Sequence, residues 1–276
     1  MLVQVNGIRL GVEQRGAARK DGLTLVMLHG FTGSAAGWGS LLDMLAAYGL
    51  PVIALDLPGH GQSDAPRHPG RYAIERCERD IVAALQELGV KRGASVLLGY
   101  SMGGRIALYT AFSGFFRALI LESASPGLED PVEREQRRAG DEALAASIER
   151  DGVQAFVDCW EQLPLFASQR GLPPETRAAL RRQRLNNRPG GLAQSLRGVG
   201  TGVQPPLHDR LPALHVPVLL IAGGLDSKFA TIARSMSQAL PQSQLRIVPD
   251  AGHAVHLERP AEFASLVGEF CLAING

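Results

Sequence analysis

Apolar residues along this chain come in short unbroken runs, each followed by a stretch with helical periodicity. Residues 23–28, 51–55, 95–98 and 118–121 are such runs in the first half, and 217–222 and 244–248 are two more near the end. Runs apolar on both faces suit strands of a parallel sheet covered by helices on either side. Residues 2–14 differ, because they alternate apolar and polar around Asn6-Gly7, the signature of a hairpin. A last helix is predicted from Pro260, a favoured first helical position, with Phe263, Leu266, Val267 and Phe270 on one face. Between the fourth and fifth runs the pattern changes. Residues 126–204 carry almost no strand signal, are rich in Arg, Glu, Gln and Ala, and show helical spacing. The chain therefore divides into a core part at 1–125, a helical lid at 126–204 and a second core part at 205–276. An insertion there covers the carboxyl ends of the strands, where ligands bind in open α/β sheets.

Composition narrows the function classes. With 276 residues the length suits one or two domains, and a formal net charge of +1 gives no reason to expect nucleic acid or a membrane surface as partner. Cys77, Cys159 and Cys271 lie far apart, form no Cys-x-x-Cys pair, and read as buried or idle thiols. The N-terminus lacks a basic head followed by a long apolar core, and no apolar run approaches the roughly 20 residues of a membrane span. The expectation is a cytoplasmic protein, with its oligomeric state left open.

The run at 95–98 leads into Gly99-Tyr100-Ser101-Met102-Gly103-Gly104 and then into a helix-like stretch at 105–112. Strand, Gly-x-Ser-x-Gly and helix make a nucleophile elbow, which holds a serine hydroxyl up at the end of a sheet. A serine hydroxyl needs a basic neighbour, normally a histidine oriented by a carboxylate. On this scaffold the acid and then the histidine follow the serine in chain order. Asp226 follows the run at 217–222 and His253 follows the run at 244–248, so Ser101, Asp226 and His253 are the candidate triad. Asp250 rivals Asp226, and His256, three residues past His253, rivals it as the base. The oxyanion hole expected beside such a serine uses two backbone N–H groups, that of Met102 and that of Phe31 in Leu28-His29-Gly30-Phe31. His29 is expected to shape that loop. His60 reads as a loop histidine tying down its turn, with a ligand role as the alternative.

The motifs 28–31, Asp56-Leu57-Pro58-Gly59-His60-Gly61-Gln62-Ser63, the elbow and the Gly252-His253 turn resemble the α/β-hydrolase superfamily. The resemblance implies a mostly parallel central sheet with helices on both faces and an inserted helical lid. Further motifs narrow it: Arg105 directly after the elbow, Glu133-Arg134-Glu135-Gln136-Arg137-Arg138, Trp160-Glu161-Gln162-Leu163-Pro164-Leu165-Phe166, Arg184-Leu185-Asn186-Asn187 and Asp226-Ser227-Lys228-Phe229. Together they resemble the 2-succinyl-6-hydroxy-2,4-cyclohexadiene-1-carboxylate synthases, the pyruvate-eliminating enzymes of menaquinone biosynthesis.

That resemblance implies a small tricarboxylate substrate and no metal or organic cofactor. It implies that Arg105, Arg137 and Arg184 bind the carboxylates, with Tyr100 and Trp160 as further substrate contacts. Read from the residues alone, Arg134, Arg137 and Arg138 also fit a solvated helix face among glutamates, and Trp160 fits a lid core. Two rival functions remain open. A carboxylesterase or carbon–carbon bond hydrolase would use the same triad. A non-catalytic binding protein is disfavoured by the filled triad positions.

Overall fold

The computed structural model describes residues 1–16 and 22–275, so residues 17–21 and 276 of the two core parts lie outside the described residues. Strands β1 (Leu2–Val5) and β2 (Ile8–Arg15) form the hairpin that the alternation predicts, turning at Asn6 and Gly7, both with positive φ. The apolar runs become β3 (Thr24–Leu28), β4 (Val52–Leu55), β5 (Ser95–Tyr100), β6 (Ala118–Glu122), β7 (Val218–Gly223) and β8 (Ser243–Val248). The eight strands build one sheet in the order β1-β2-β4-β3-β5-β6-β7-β8. β1 and β2 pair antiparallel, as do β2 and β4, and every other pairing is parallel.

Helices follow the strands: α1 (Leu41–Ala46), α2 (Ile74–Glu87), α3 (Met102–Ala111), α4 (Pro131–Trp160), α5 (Pro174–Leu185), α6 (Pro189–Val199), α7 (Ser227–Ala239), α8 (Val255–Glu258) and α9 (Pro260–Asn275). No helix among the described residues is long and apolar enough to cross a membrane.

Uniformly apolar strands hide a period of two, because both faces are covered. Val26, Leu28, Leu97, Leu119 and Leu121 pack with Ile81 of α2, Ile106 of α3 and Met236 of α7 in one core. Their neighbours Leu25, Met27, Val96, Leu98 and Ile120 pack with Leu45 of α1 and Phe263 and Val267 of α9 in the other. The sheet is thus clamped from both sides, which fixes its carboxyl edge as a rigid shelf.

The elbow sits on that edge. Ser101 adopts φ 51, an uncommon value for a side-chain-bearing residue. The turn closes only because β5 and α3 touch: a Cβ on Gly99 would strike the Gly103 carbonyl, and one on Gly103 would strike the carbonyls of Leu28 and His29. A Gly103→Ala variant should lose about 1–3 kcal/mol of stability, the usual cost of forcing a methyl into a packed site. Chemical denaturation checks this, and a wild-type midpoint would contradict it.

Residues between β6 and β7 form a second helical layer. Asp130 caps α4 by accepting from the Val132 N–H at 2.7 Å, and Pro131 occupies the first turn. α4 breaks at Gly152, φ 83, so its two halves wrap a small core of Ala145, Ile148 and Val157 against Leu192 and Leu196 of α6. Phe31, from the loop after β3, and Trp160, the last residue of α4, pack onto this core.

Candidate active site

The edge of the sheet brings Ser101, Asp226 and His253 together. His253 Nε2 lies 3.0 Å from Ser101 Oγ, and His253 Nδ1 lies 2.7 Å from Asp226 Oδ2. With Nδ1–H donating to the carboxylate, Nε2 is left to accept the serine proton. Asp226 caps α7, its other oxygen accepting from the Phe229 N–H at 3.2 Å, which fixes the carboxylate. The His253 ring is buried between Phe229 at 4.6 Å and Tyr100 at 5.5 Å, centroid to centroid. The two rivals go elsewhere. Asp250 is on the surface, 3.7 Å from Arg259, and His256 is bonded to Glu122.

The loop of Phe31 abuts the nucleophile. A Cβ on Gly30 would lie 3.5 Å from Ser101 Cβ and 2.8 Å from the Tyr100 ring. Among the described residues, neither the Phe31 N–H nor the Met102 N–H is spent on a protein acceptor. Met102 opens α3, where the first N–H groups are free by geometry. Two unspent donors beside a serine are what a developing oxyanion requires.

His29 holds this loop: its Nε2 accepts from the Leu57 N–H at 3.0 Å, and its Nδ1–H donates to the Gly30 carbonyl at 2.8 Å. His60, 5.1 Å away between ring centroids, uses Nδ1 on the Pro58 carbonyl at 3.1 Å, as a loop-tying histidine does. Burial pushes His29 down to about 4 from its ordinary 6.5, and burial followed by the neighbouring His29 pushes His60 down to about 3. Both are neutral at pH 7. Below pH 6.5 the unfolded chain binds protons that the folded one refuses, so stability is full above pH 6.5 and falls as pH drops toward 4. The slope is roughly 1.4 kcal/mol per pH unit per histidine. Urea denaturation should show about 2 kcal/mol lost per histidine at pH 5, and His60→Gln should flatten the profile. Equal slopes in variant and wild type would contradict this.

A cavity of about 820 Å³ opens over Ser101, roofed by the helical layer. Arg105, Arg137, Arg184, Tyr100 and Trp160 all line it, as do Trp38, Ser125, Gln136, Gln183, Lys228 and Phe229. Its charged lining is four cations, Arg105, Arg137, Arg184 and Lys228, against the single carboxylate of Glu133.

Arg105 is 8% exposed, and its Nη1 donates to the Val199 carbonyl at 3.0 Å and to Gln204 Oε1 at 2.6 Å, both neutral. Among the described residues no carboxylate pairs with it. Burial, reinforced by Arg137, lowers its pKa to about 10, so it stays charged at neutral pH. Arg184 is buried over the Phe166 ring, donating to Glu161 at 3.2 Å and Gln169 at 3.0 Å. Arg137 is half-exposed and shares its charge with Asp141 at 2.8 Å, one helical turn away. Arg134 and Arg138 do not line the cavity, and Arg138 pairs with Glu135. Trp160 packs on Phe31, Phe156 and Phe166, as a lid-core residue does, and it also lines the cavity. Trp38 and Glu122 were not singled out from sequence. The available signal for Glu122 is a charged residue ending a wholly apolar run.

Comparison with known proteins agrees with this architecture. The family described as alpha/beta hydrolase fold matches residues 24–260, which makes the chain an α/β-hydrolase-fold protein. The solved structure of MenH from S. aureus superposes with a TM-score of 0.91 at 34% identity, over 96% of this chain and 99% of that one. A thermophilic esterase from Thermogutta terrifontis, with malate bound, superposes with a TM-score of 0.84 at 28% identity, over 100% and 97% of the two chains. The 2-succinyl-6-hydroxy-2,4-cyclohexadiene-1-carboxylate synthase of Serratia proteamaculans is 37% identical over 94% of this chain and 96% of its own length. A Bacillus subtilis protein that carries the same synthase name provisionally is 43% identical over 98% and 97%. The chain belongs to the family of these synthases.

Proposed function

We propose that this protein is a carbon–oxygen lyase that eliminates pyruvate from 2-succinyl-5-enolpyruvyl-6-hydroxy-3-cyclohexene-1-carboxylate. The product is 2-succinyl-6-hydroxy-2,4-cyclohexadiene-1-carboxylate. His253, oriented by Asp226, draws the proton from Ser101, and Ser101 takes the proton from the ring carbon bearing the succinyl ketone. The electrons released form a double bond to the neighbouring ring carbon. The existing ring double bond shifts along, and the carbon–oxygen bond to enolpyruvate breaks. Enolpyruvate leaves with the electron pair and gains a proton to become pyruvate. In the transition state the ketone oxygen carries negative charge, which the Phe31 and Met102 N–H groups stabilise as they would the oxyanion of acyl transfer. An esterase-like site thus performs an elimination with no added catalytic group.

The observation that carries this reading is the charge of the cavity over the triad. Asp141 and Glu161 behind the wall pair with Arg137 and Arg184, so the lining cations with no carboxylate in contact among the described residues are Lys228 and Arg105, and Arg105 is buried with only neutral hydrogen-bond partners. A buried unpaired cation is costly and calls for an anion. A tricarboxylate supplies three, and arginine's planar fork suits each of them. In this reading residues 126–204 are the lid that closes over the substrate, Trp160 and Tyr100 are its apolar wall, and the protein works in the cytoplasm.

The rival is a serine hydrolase on the same triad, a fold-level likeness shared with the esterase neighbour. Salt separates the two. As the screening length shrinks from roughly 30 Å at 0.01 M to roughly 3 Å at 1 M, kcat/KM for the tricarboxylate should fall steeply. Hydrolysis of a small neutral ester should barely change. Equal salt dependence for both substrates would count against the anionic substrate.

A further inference from the structure

We infer that Glu122, acting through His256, is the positioning residue that sets the reach between His253 and Ser101. This rests on the roles proposed above for that pair. Glu122 is the last residue of β6 and is 0% exposed. Its backbone carbonyl accepts from the Ser101 N–H at 2.9 Å, so it holds the elbow directly. Its side chain holds the other partner. Oε1 accepts from the His256 backbone N–H at 3.0 Å, and the two carboxylate oxygens lie 2.9 and 2.8 Å from His256 Nδ1. His256 stands three residues beyond His253, in α8, the short helix that ends the same loop. One residue of the sheet therefore grips the nucleophile through its main chain and the base-bearing loop through its carboxylate.

The other anchors of that loop do not reach the nucleophile: the Leu225 N–H after β7 bonds the Ala251 carbonyl at 2.9 Å, and Glu258 bonds within the loop and to the roof. Glu258 accepts from the Gly252 N–H at 2.7 Å, but both residues belong to the loop and the short helix that ends it. Glu258 also accepts from Ser168 Oγ at 3.0 Å, which ties the loop to the roof of the cavity rather than to the sheet. The Tyr100 ring fills the space between the two imidazoles, 5.5 Å from His253 and 4.6 Å from His256. A shift of His256 is therefore passed to the catalytic imidazole through both the backbone and this ring.

Backbone strain marks the same spot. Ser123, directly after Glu122, has φ 46, and its Oγ is buried without a partner among the described residues. Strain of this kind persists where the surroundings over-determine the conformation, and it gathers at functional sites. A buried polar pair contributes little net stability compared with apolar packing. What the Glu122–His256 pair provides is geometry: it fixes where the loop crosses the sheet edge. That matters because a misplacement of about 1 Å can cost about 100-fold in rate.

The test uses Glu122→Ala and Glu122→Gln in the full chain, with two readouts. One is kcat and KM for the tricarboxylate. The other is the rate at which a fluorophosphonate labels Ser101, which depends on the serine–histidine pair and not on which substrate the protein takes. Glu122→Ala should lower kcat and the labelling rate together by about 100-fold, with KM within about twofold. Glu122→Gln keeps an oxygen acceptor for the His256 N–H groups, so it should recover part of the loss in both readouts. Wild-type labelling in either folded variant, or a loss confined to KM, overturns the assignment. Should Glu122→Ala not fold, the labelling rate of Glu122→Gln decides alone, and a value equal to wild type overturns it. If the tricarboxylate is not turned over even by the wild type, the proposed reaction fails, while the labelling ratios still decide the role of Glu122.

Discussion

Replacing Ser101 by Ala, Asp226 by Asn or His253 by Ala should each lower kcat for pyruvate release by on the order of 10³–10⁴-fold. The double variant Ser101→Ala/His253→Ala should be little worse than either single one. The reason is the hydrogen-bond chain of 3.0 and 2.7 Å that links the three side chains. In the proposed reaction Ser101 abstracts a proton only while His253 can take its own, and His253 presents Nε2 only while Asp226 holds Nδ1–H. Groups that act as a unit are strongly non-additive, because once one link is gone the others have nothing to do. Asp226→Asn keeps the shape but removes the charge, and with its one oxygen accepting from the Phe229 N–H it turns an NH2 towards His253 Nδ1, so it tests tautomer control separately from packing. Single-turnover rates for the three single variants and the double variant decide the matter. Losses that multiply would mean that the three residues act independently.

Arg105→Ala should lower kcat/KM for the tricarboxylate by about ten- to a hundredfold, the equivalent of losing one charge-assisted hydrogen bond worth roughly 1.5–3 kcal/mol. Hydrolysis of a small neutral ester should stay within about threefold of wild type, because nothing in that substrate needs a cation. The structure ranks the three arginines. Arg105 hydrogen-bonds only neutral partners, so in the proposed reaction it has the most charge to offer a carboxylate. Arg184 divides its fork between Glu161 and Gln169. Arg137 is half-exposed and already paired with Asp141, so Arg137→Ala should have the smallest effect. Lysine at position 105 should recover only part of the loss, since it lacks the bidentate fork. Parallel losses on ester and tricarboxylate would make Arg105 a packing residue of the helical roof.

The strands and the meeting of Ser101, Asp226 and His253 were legible in the sequence because their signals are local. Gly99-Tyr100-Ser101-Met102-Gly103 encodes a turn that only glycines permit, and Asp226 and His253 each follow an apolar run directly. The division of each strand between two cores was not legible, because a run such as 118–121 is apolar at every position and shows no period. The choice of His253 over His256 was legible from its place directly after Gly252, but the partner that holds His256 was not, because Glu122 lies 134 residues away in sequence from His256. Burial decides the arginines in the same way. Arg105 and Arg137 look alike in sequence, yet one faces a carbonyl and an amide while the other faces Asp141. These contacts join distant segments, and no spacing rule records them.

The most direct test of the central claim is the identity of the products formed from 2-succinyl-5-enolpyruvyl-6-hydroxy-3-cyclohexene-1-carboxylate. Elimination gives one pyruvate per ring product, and the ring product is a conjugated cyclohexadiene that retains no oxygen at the carbon where the ether was. Hydrolysis of the same bond leaves a hydroxyl on that carbon, so its ring product is heavier by one water. Mass spectrometry of the ring product, with pyruvate measured in the same sample, separates the two outcomes. The triad beneath a cationic cavity predicts equimolar pyruvate and the dehydrated diene, abolished in Ser101→Ala. A hydrated ring product, or pyruvate release that survives in Ser101→Ala, would contradict it.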